Sequence, residues 1–178
     1  MAKLAGELTK TIEDMAQSGA PMDIAVLSKL ADQVAKTFKV RVDEVALLAL
    51  TENRKFLVFL VPEKLQNIGN IPMTSTTSLA VRTAREKRPE VINNFTSVRH
   101  ASVFEAVPLS DERSQPIQKI MSAPIVADGH VLGVIQVSRK GKSLAAAGPD
   151  FSPKDLSELV AAGSALGPGI KTYQVPGT

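Results

Sequence analysis

Cysteine is absent from the chain. Disulfides, thiol nucleophiles and thiolate metal ligands are therefore excluded, and any zinc site would have to be built from histidine and carboxylates. No apolar run reaches the roughly 18 residues that a membrane-spanning helix needs. An excess of charge is missing too: 21 basic side chains stand against 18 acidic ones, a net of +3. That leaves no electrostatic footprint for nucleic acid. The same holds locally, because over residues 1–41 Lys3, Lys10, Lys29, Lys36, Lys39 and Arg41 are offset by Glu7, Glu13, Asp14, Asp23 and Asp32. Only two histidines occur, and no Ser/His/Asp order, metal-ligand spacing, phosphate-binding glycine loop or internal repeat stands out. The opening Met-Ala-Lys-Leu-Ala-Gly-Glu-Leu carries charge and lacks a long apolar core, so it does not read as a signal peptide. The expected setting is the cytoplasm, with neither membrane nor nucleic acid as a partner.

Apolar residues are plentiful, at 44% of 178 residues, enough for one domain with a buried core and terminal additions. The stretch that organises the rest is 117–140. Two runs rich in Ile, Val and Leu flank Asp128-Gly129, a dipeptide suited to a two-residue β-hairpin loop that requires positive φ. A loop at those two residues opposes Ala127 to His130, Val126 to Val131, Ser122 to Ile135 and Ile120 to Val137. The alternate set is Met121, Ala123 and Ile125 opposite Gln136, Val134 and Leu132. Both faces are largely apolar and both need cover. Gly133 is expected to let a helix approach closely on the face of Ile135 and Val137. The face bearing Gln136 and Ser138 is the expected pocket side. Pro124 cannot donate to a ladder, so it marks a bulge or an edge, and a bulge would swap the faces beyond it.

The remaining elements follow in order. Residues 2–17 read as a helix with Leu4, Leu8, Ile12 and Met15 on a narrow stripe, which suggests a dimerisation arm over residues 1–20, or else a helix lying on its own domain. Residues 23–38 carry a broader apolar stripe and read as a core helix. Val45–Leu50 and Phe56–Val61 form a second hairpin, which Pro62 ends. Residues 63–75 are expected as loop. Ser75, Thr76 or Thr77 is the expected cap of a short helix over 79–87, and Val91–Phe95 a short strand. Residues 96–114 are polar and irregular, and Gly141–Pro149 is a loop of small residues. Ser152, Pro153 and Asp155 open the final helix as N-cap, first residue and dipole partner. Its expected inner face is Leu156, Leu159, Val160 and Gly163. Gly167-Pro168-Gly169 is expected to end it, leaving 169–178 as a flexible tail.

This order of elements resembles that of a GAF domain, over about residues 22–168. The residues that carry the likeness are Ser122-Ala123-Pro124-Ile125-Val126, Gly129 through Val137, and Phe151-Ser152-Pro153-Lys154-Asp155-Leu156. The resemblance implies an α/β fold of the α+β type. A central antiparallel sheet of five or six strands would carry the terminal helices on one face and pocket-forming loops and short helices on the other. It also implies a homodimer formed through the terminal helices, and a pocket for a small molecule.

The family's activities can be tested against these residues. A covalent bilin attached through cysteine, and a thiol-based reduction of methionine sulfoxide, both lack their sulfur here. The cyclic-nucleotide pattern survives only as Phe151 and Asp155, which helix packing and dipole pairing already explain. What remains is a non-catalytic module that senses a small molecule of unknown identity in signal transduction, paired with a partner signalling protein. In that reading a ligand orders residues 63–114. The expected ligand-binding residues are Phe95, His100 and Phe104 from the wrapping segment, and Met121 and Gln136 from the hairpin. For His100 an ordinary loop role competes, as a solvated face does for Arg82, Arg85, Lys87 and Arg88 against an anion held by Arg82 or Arg85. His130, beside the turn, is expected to be exposed. The alternative function is a structural or protein-interaction dimerisation module with a closed, filled pocket.

Overall fold

The computed structural model describes residues 3–67, 70–95 and 116–173. Two helices come first. Helix α1 spans Lys3–Gln17 and α2 spans Ile24–Phe38. The Asp23 carboxylate accepts the Val26 N–H at 3.0 Å and starts α2. Lys39, in the left-handed region at φ 57°, ends it by donating back to Ala35 and Lys36. The strands are β1 (Val45–Leu50), β2 (Phe56–Val61), β3 (Ile71–Pro72), β4 (Glu90–Ile92), β5 (Ile117–Ala127) and β6 (His130–Lys140). Helix α3 spans Leu79–Glu86, α4 is the single turn Leu144–Ala147, and α5 spans Pro153–Thr172.

The six strands form one antiparallel sheet in the order β3-β2-β1-β6-β5-β4, at the upper end of the expected strand count. Alternation within each strand divides the apolar residues between two cores. Val45, Leu47 and Ala49 of β1 join Ile135 and Val137 of β6 beneath α1, α2 and α5. Leu48 and Leu50 of β1 join Leu57 and Phe59 of β2 and Val134 of β6 against α3. The terminal helices thus cover one face and the short helix the other. Among the described residues no helix is long and apolar enough to cross a membrane.

The central hairpin turns at Asp128-Gly129, with φ of 54° and 78°. Ala127 opposes His130 and Val126 opposes Val131, as expected from a two-residue loop. The next pair is Ile125 with Gly133, so Leu132 is an extra residue and β6 carries a bulge. Beyond it Ser122 opposes Gln136 rather than Ile135, and Met121 opposes Val137 rather than Gln136. Pro124 is not the bulge. It lies past the reach of β4, whose pairing with β5 extends only from Ile120 to Ser122, so β5 is an edge there and a missing N–H costs little.

Glycine does supply a close approach in the central hairpin, but to a different neighbour from the one expected. A Cβ on Gly133 would collide with the Leu48 carbonyl of the neighbouring strand, so this glycine admits a strand rather than a helix. The glycines that admit the helix belong to α5 itself. A Cβ on Gly163 would strike the Pro124 carbonyl, and one on Gly167 the Val126 carbonyl. Four residues apart, they lie on one face of α5 and bring its backbone onto β5.

Other boundaries also differ from the sequence pattern. Helix α5 runs through Pro168 to Thr172, because Ile170 is buried in the helix-side core and Gly169 lies against Ile12 and Met22, so tertiary packing outweighs one lost N–H. Its inner face is Leu159, Ala162, Gly163 and Leu166, while Val160 is exposed. The N-cap of α3 is Ser78, which accepts the Val81 N–H at 3.3 Å. Ser75 instead braces the preceding turn by accepting from Thr77 and Ser78. Strand β3 and helix α4 arise within stretches expected as loop, and β4 stops at Ile92. The opening of α5 is as expected: Asp155 N–H donates to the Ser152 hydroxyl at 3.1 Å, and Ser152 N–H to the Asp155 carboxylate at 2.8 Å.

The glycine contacts set an expected outcome. Gly167→Ala should cost about 2 kcal/mol by overpacking α5 against β5. Gly6→Ala, on exposed α1 surface with nothing within 4 Å, should be neutral or stabilise by up to about 1 kcal/mol. Urea denaturation of the two variants decides, and equal effects would refute the close approach.

Candidate functional site

The α3 face of the sheet carries an unusual amount of buried polarity for an apolar strand pair. Helix α3 turns Leu79, Ala80, Val81, Thr83 and Ala84 inward, and Thr83 is fully buried among them. Its hydroxyl donates to the Leu79 carbonyl one turn back, at 2.9 Å. That uses its only proton. The 2.7 Å contact between the Thr83 and Ser122 hydroxyls must then run from Ser122 to Thr83. Gln136 Nε2 in turn donates to the Ser122 hydroxyl at 3.2 Å. The result is a directed chain from the Gln136 amide through Ser122 and Thr83 to the Leu79 carbonyl, crossing from β6 through β5 to α3. Among the described residues, the Gln136 carbonyl oxygen at the head of the chain takes no hydrogen bond.

Phe95 lies beside this chain, buried with Leu79 and Ile120. The basic run of α3 is engaged in the fold. Arg82 forks onto the Glu90 carboxylate at 2.7 and 3.0 Å and ties α3 to β4. Arg85 reaches the Met73 and Ser75 carbonyls, Lys87 the Gly129 carbonyl, and Arg88 the Glu86 carboxylate. None of these cations is set aside for an anion.

Of the residues expected to line a pocket, Phe95 and Gln136 are on the α3 face. Met121 is on the opposite one, fully buried in the core beneath the terminal helices. The bulge at Leu132 is the reason, since it moves β5 one residue out of step with β6 and puts Ser122 where Met121 was expected. His100 and Phe104 lie outside the described residues. His130 is exposed, as expected. Thr83 and Ser122 were missed. The signal for them is a hydroxyl inside an apolar strand and another on the apolar stripe of a short helix.

Two cavities open elsewhere. One, of about 900 Å³, is a largely apolar groove between the end of α1 and the end of α5, walled by Ile12, Met15, Met22, Ile24, Pro168 and Tyr173. Burial, then the nearby Asp23 carboxylate, raises the Tyr173 phenol above its ordinary pKa. Leu4 and Leu8, the first half of the α1 stripe, are fully buried within their own domain. The other cavity, of about 460 Å³, lies between the β1–β2 turn and the end of α5. Its Lys171 already pairs with Asp128 at 2.7 Å, and its Arg54 donates to the Val131 carbonyl at 3.3 Å. No group of three or more His, Asp or Glu side chains that could hold a metal ion occurs among the described residues.

Comparison with known proteins bears on this architecture. A family model described as GAF domain matches residues 24–167. Ninety-four solved chains match. The GAF domain of a phosphoenolpyruvate-protein phosphotransferase from Acinetobacter is similar at 17% identity and a TM-score of 0.67, covering 96% of this chain and 95% of that one. A methyl-accepting chemotaxis protein is similar at 13% identity and TM-score 0.63, covering 92% and 94%. A free methionine-R-sulfoxide reductase from Neisseria meningitidis, in complex with its substrate, is similar at 14% identity and TM-score 0.64, covering 96% and 87%. At these identities the likeness is one of fold. No match is found among curated proteins.

The hydrogen-bond chain is testable by a double-mutant cycle. Ser122→Ala should cost about 1–3 kcal/mol, because it leaves the Gln136 amide N–H without its acceptor and the buried Thr83 oxygen without its donor. Thr83→Val with Ser122→Ala should cost less than the sum of the two singles. Strict additivity in guanidinium unfolding would break the chain into unrelated contacts.

Proposed function

The chain belongs to the GAF domain family, and on that footing we propose that it is a non-catalytic sensory or regulatory module. It holds a small molecule on the α3 face of the sheet and reports its presence through the terminal helices. The observation that carries this reading is the directed chain that begins at Gln136. A face whose other residues are mostly apolar spends three buried polar side chains on one line and leaves the amide oxygen at its head open. Buried polarity of that kind suits a polar group on a ligand. The matching ligand is small and uncharged. Glu90, paired with Ser122 across β4 and β5, is already neutralised by Arg82. We assign Phe95 and Gln136 to the ligand, with His100 and Phe104 as further contacts, and we no longer assign Met121. The response is a population shift between two placements of the terminal helices. The working form is a homodimer in the cytoplasm, acting with a partner signalling protein. A reductase activity like that of the sulfoxide-reducing neighbours is not proposed, since a chain without cysteine has no thiolate to attack a sulfoxide.

Thermal unfolding and isothermal titration with nucleotide and metabolite panels test the reading. A true ligand at a hundredfold excess over Kd stabilises by about 2.7 kcal/mol. In a domain of this size that is a rise of roughly 5–10 °C in Tm. Gln136→Ala should keep the fold and lose the rise. If no compound on the panels shifts Tm or releases heat, the sensory reading fails.

A second reading has its own support. Leu48, Leu57, Ile71, Ala80, Val81 and Val134 fill the α3 face closely, and the open apolar groove lies instead between α1 and α5. In that reading the chain is a dimerisation module, and a second copy occupies the groove. Light scattering after size exclusion should give a dimer for the native chain and a monomer for Met15→Glu. A native monomer at every concentration would remove the homodimer from both readings.

A further inference from the structure

Residues 148–151 form the short span between α4 and α5, and three strands hold it. Lys119 of β5, almost fully buried, donates to the Gly148 carbonyl at 2.6 Å and pairs with the Asp150 carboxylate at 2.8 Å. Arg139 of β6 lays its guanidinium over the Phe151 ring, 4.6 Å from the centroid, and donates to the Phe38 carbonyl at 3.1 Å. Asn93, one residue past β4, makes the third hold. Its Nδ2 donates to the Phe151 carbonyl at 3.0 Å, and its Oδ1 accepts the Phe151 N–H at 2.8 Å. One side-chain amide thus pairs both backbone groups of a single residue, as a neighbouring strand would. That residue immediately precedes the N-cap of α5.

The six residues from Glu90 to Phe95 therefore touch both faces of the sheet. Glu90 is forked to Arg82 and Phe95 is buried with Leu79, so both hold α3. Asn93, between them, holds the start of α5. Helix α5 cannot slide freely in response, because Gly163 and Gly167 seat its backbone on β5. It can pivot there. At about 1.5 Å per residue, Gly163 lies some 15 Å along the helix from Pro153, and Gly167 about 7.5 Å from Thr172. Pro168, Thr172 and Tyr173, beyond the seat, wall the apolar groove.

We propose that Asn93 is a positioning residue that couples the two faces of the sheet. A displacement of α3 or β4 reaches Phe151 through its paired amide and tilts α5 about the Gly163 and Gly167 seat, moving the groove at the far end. The purpose of this coupling rests on the sensory reading above. Its test does not, since no ligand is used and a negative ligand panel leaves the result intact.

The test is hydrogen exchange with mass spectrometry on the full chain, as a cycle of Arg82→Met and Asn93→Ala. Arg82→Met perturbs α3 and β4. In the native background it should speed exchange in the first turns of α5, residues 154–160, by about tenfold, the scale of one or two net hydrogen bonds. In the Asn93→Ala background, where those turns already exchange faster, adding Arg82→Met should change them by less than twofold. A merely local role for Asn93 predicts that Arg82→Met acts equally in both backgrounds, or never reaches α5, and either result overturns the proposal. Should Asn93→Ala not fold, Asn93→Asp keeps the acceptor and removes the donor to the Phe151 carbonyl, and the same cycle should give a partial loss of transmission. An unchanged Arg82→Met effect in that variant also counts against it.

Discussion

A strand pair that is apolar on both faces cannot leave either one to water, and β5 and β6 impose that condition on the whole chain. Each face needs its own layer. The chain meets the demand with its two ends on one side, as α1, α2 and α5, and with the α3 region on the other. The rest follows from serving these layers. The two ends must return to the same face, α5 must come close enough to fill the space above β5, and residues 148–151 must deliver it there. The buried Lys119 and the half-buried Arg139 are spent on that delivery.

Much of this was legible in the residues. Asp128-Gly129 announces its turn because few dipeptides accept two successive positive φ angles. Val45–Leu50 and Phe56–Val61 are long, apolar and cleanly punctuated, and Ser152, Pro153 and Asp155 satisfy a local hydrogen-bond rule that needs no tertiary context. What escaped was parity. One extra residue at Leu132 changes which side chains of β5 share a face with those of β6, and nothing in Gly-His-Val-Leu-Gly-Val marks it. Gln136 was therefore read on its true face, while Met121 was exchanged for Ser122. Pro168 misled for the opposite reason. Its local penalty is real, but Ile170 and Gly169 are held by neighbours far away in sequence.

The fold is shared by proteins of quite different activity, among them a phosphotransferase domain, a chemotaxis protein and a reductase. Fold alone therefore assigns no chemistry to this chain. Its particular features are the neutral hydroxyl–amide line on the α3 face, the paired Arg82 and Glu90, and the absence of any sulfur nucleophile. The proposed reading, a modest polar ligand and no thiol redox step, rests on these features. The groove and the Asn93 amide lie on the helix side, where such recognition would have to be read out.

The outermost strands of the sheet are very short. Among the described residues β3 has two residues, one of them Pro72, and β4 has three. A sheet margin so brief, interrupted by an imino acid, offers an incoming strand almost no run of free amides and carbonyls. Edge-on polymerisation is thereby discouraged at both rims, and Pro124 extends the protection along β5 past the end of β4. Any contact between copies of this chain is thereby turned away from open-ended fibre growth along the sheet margin.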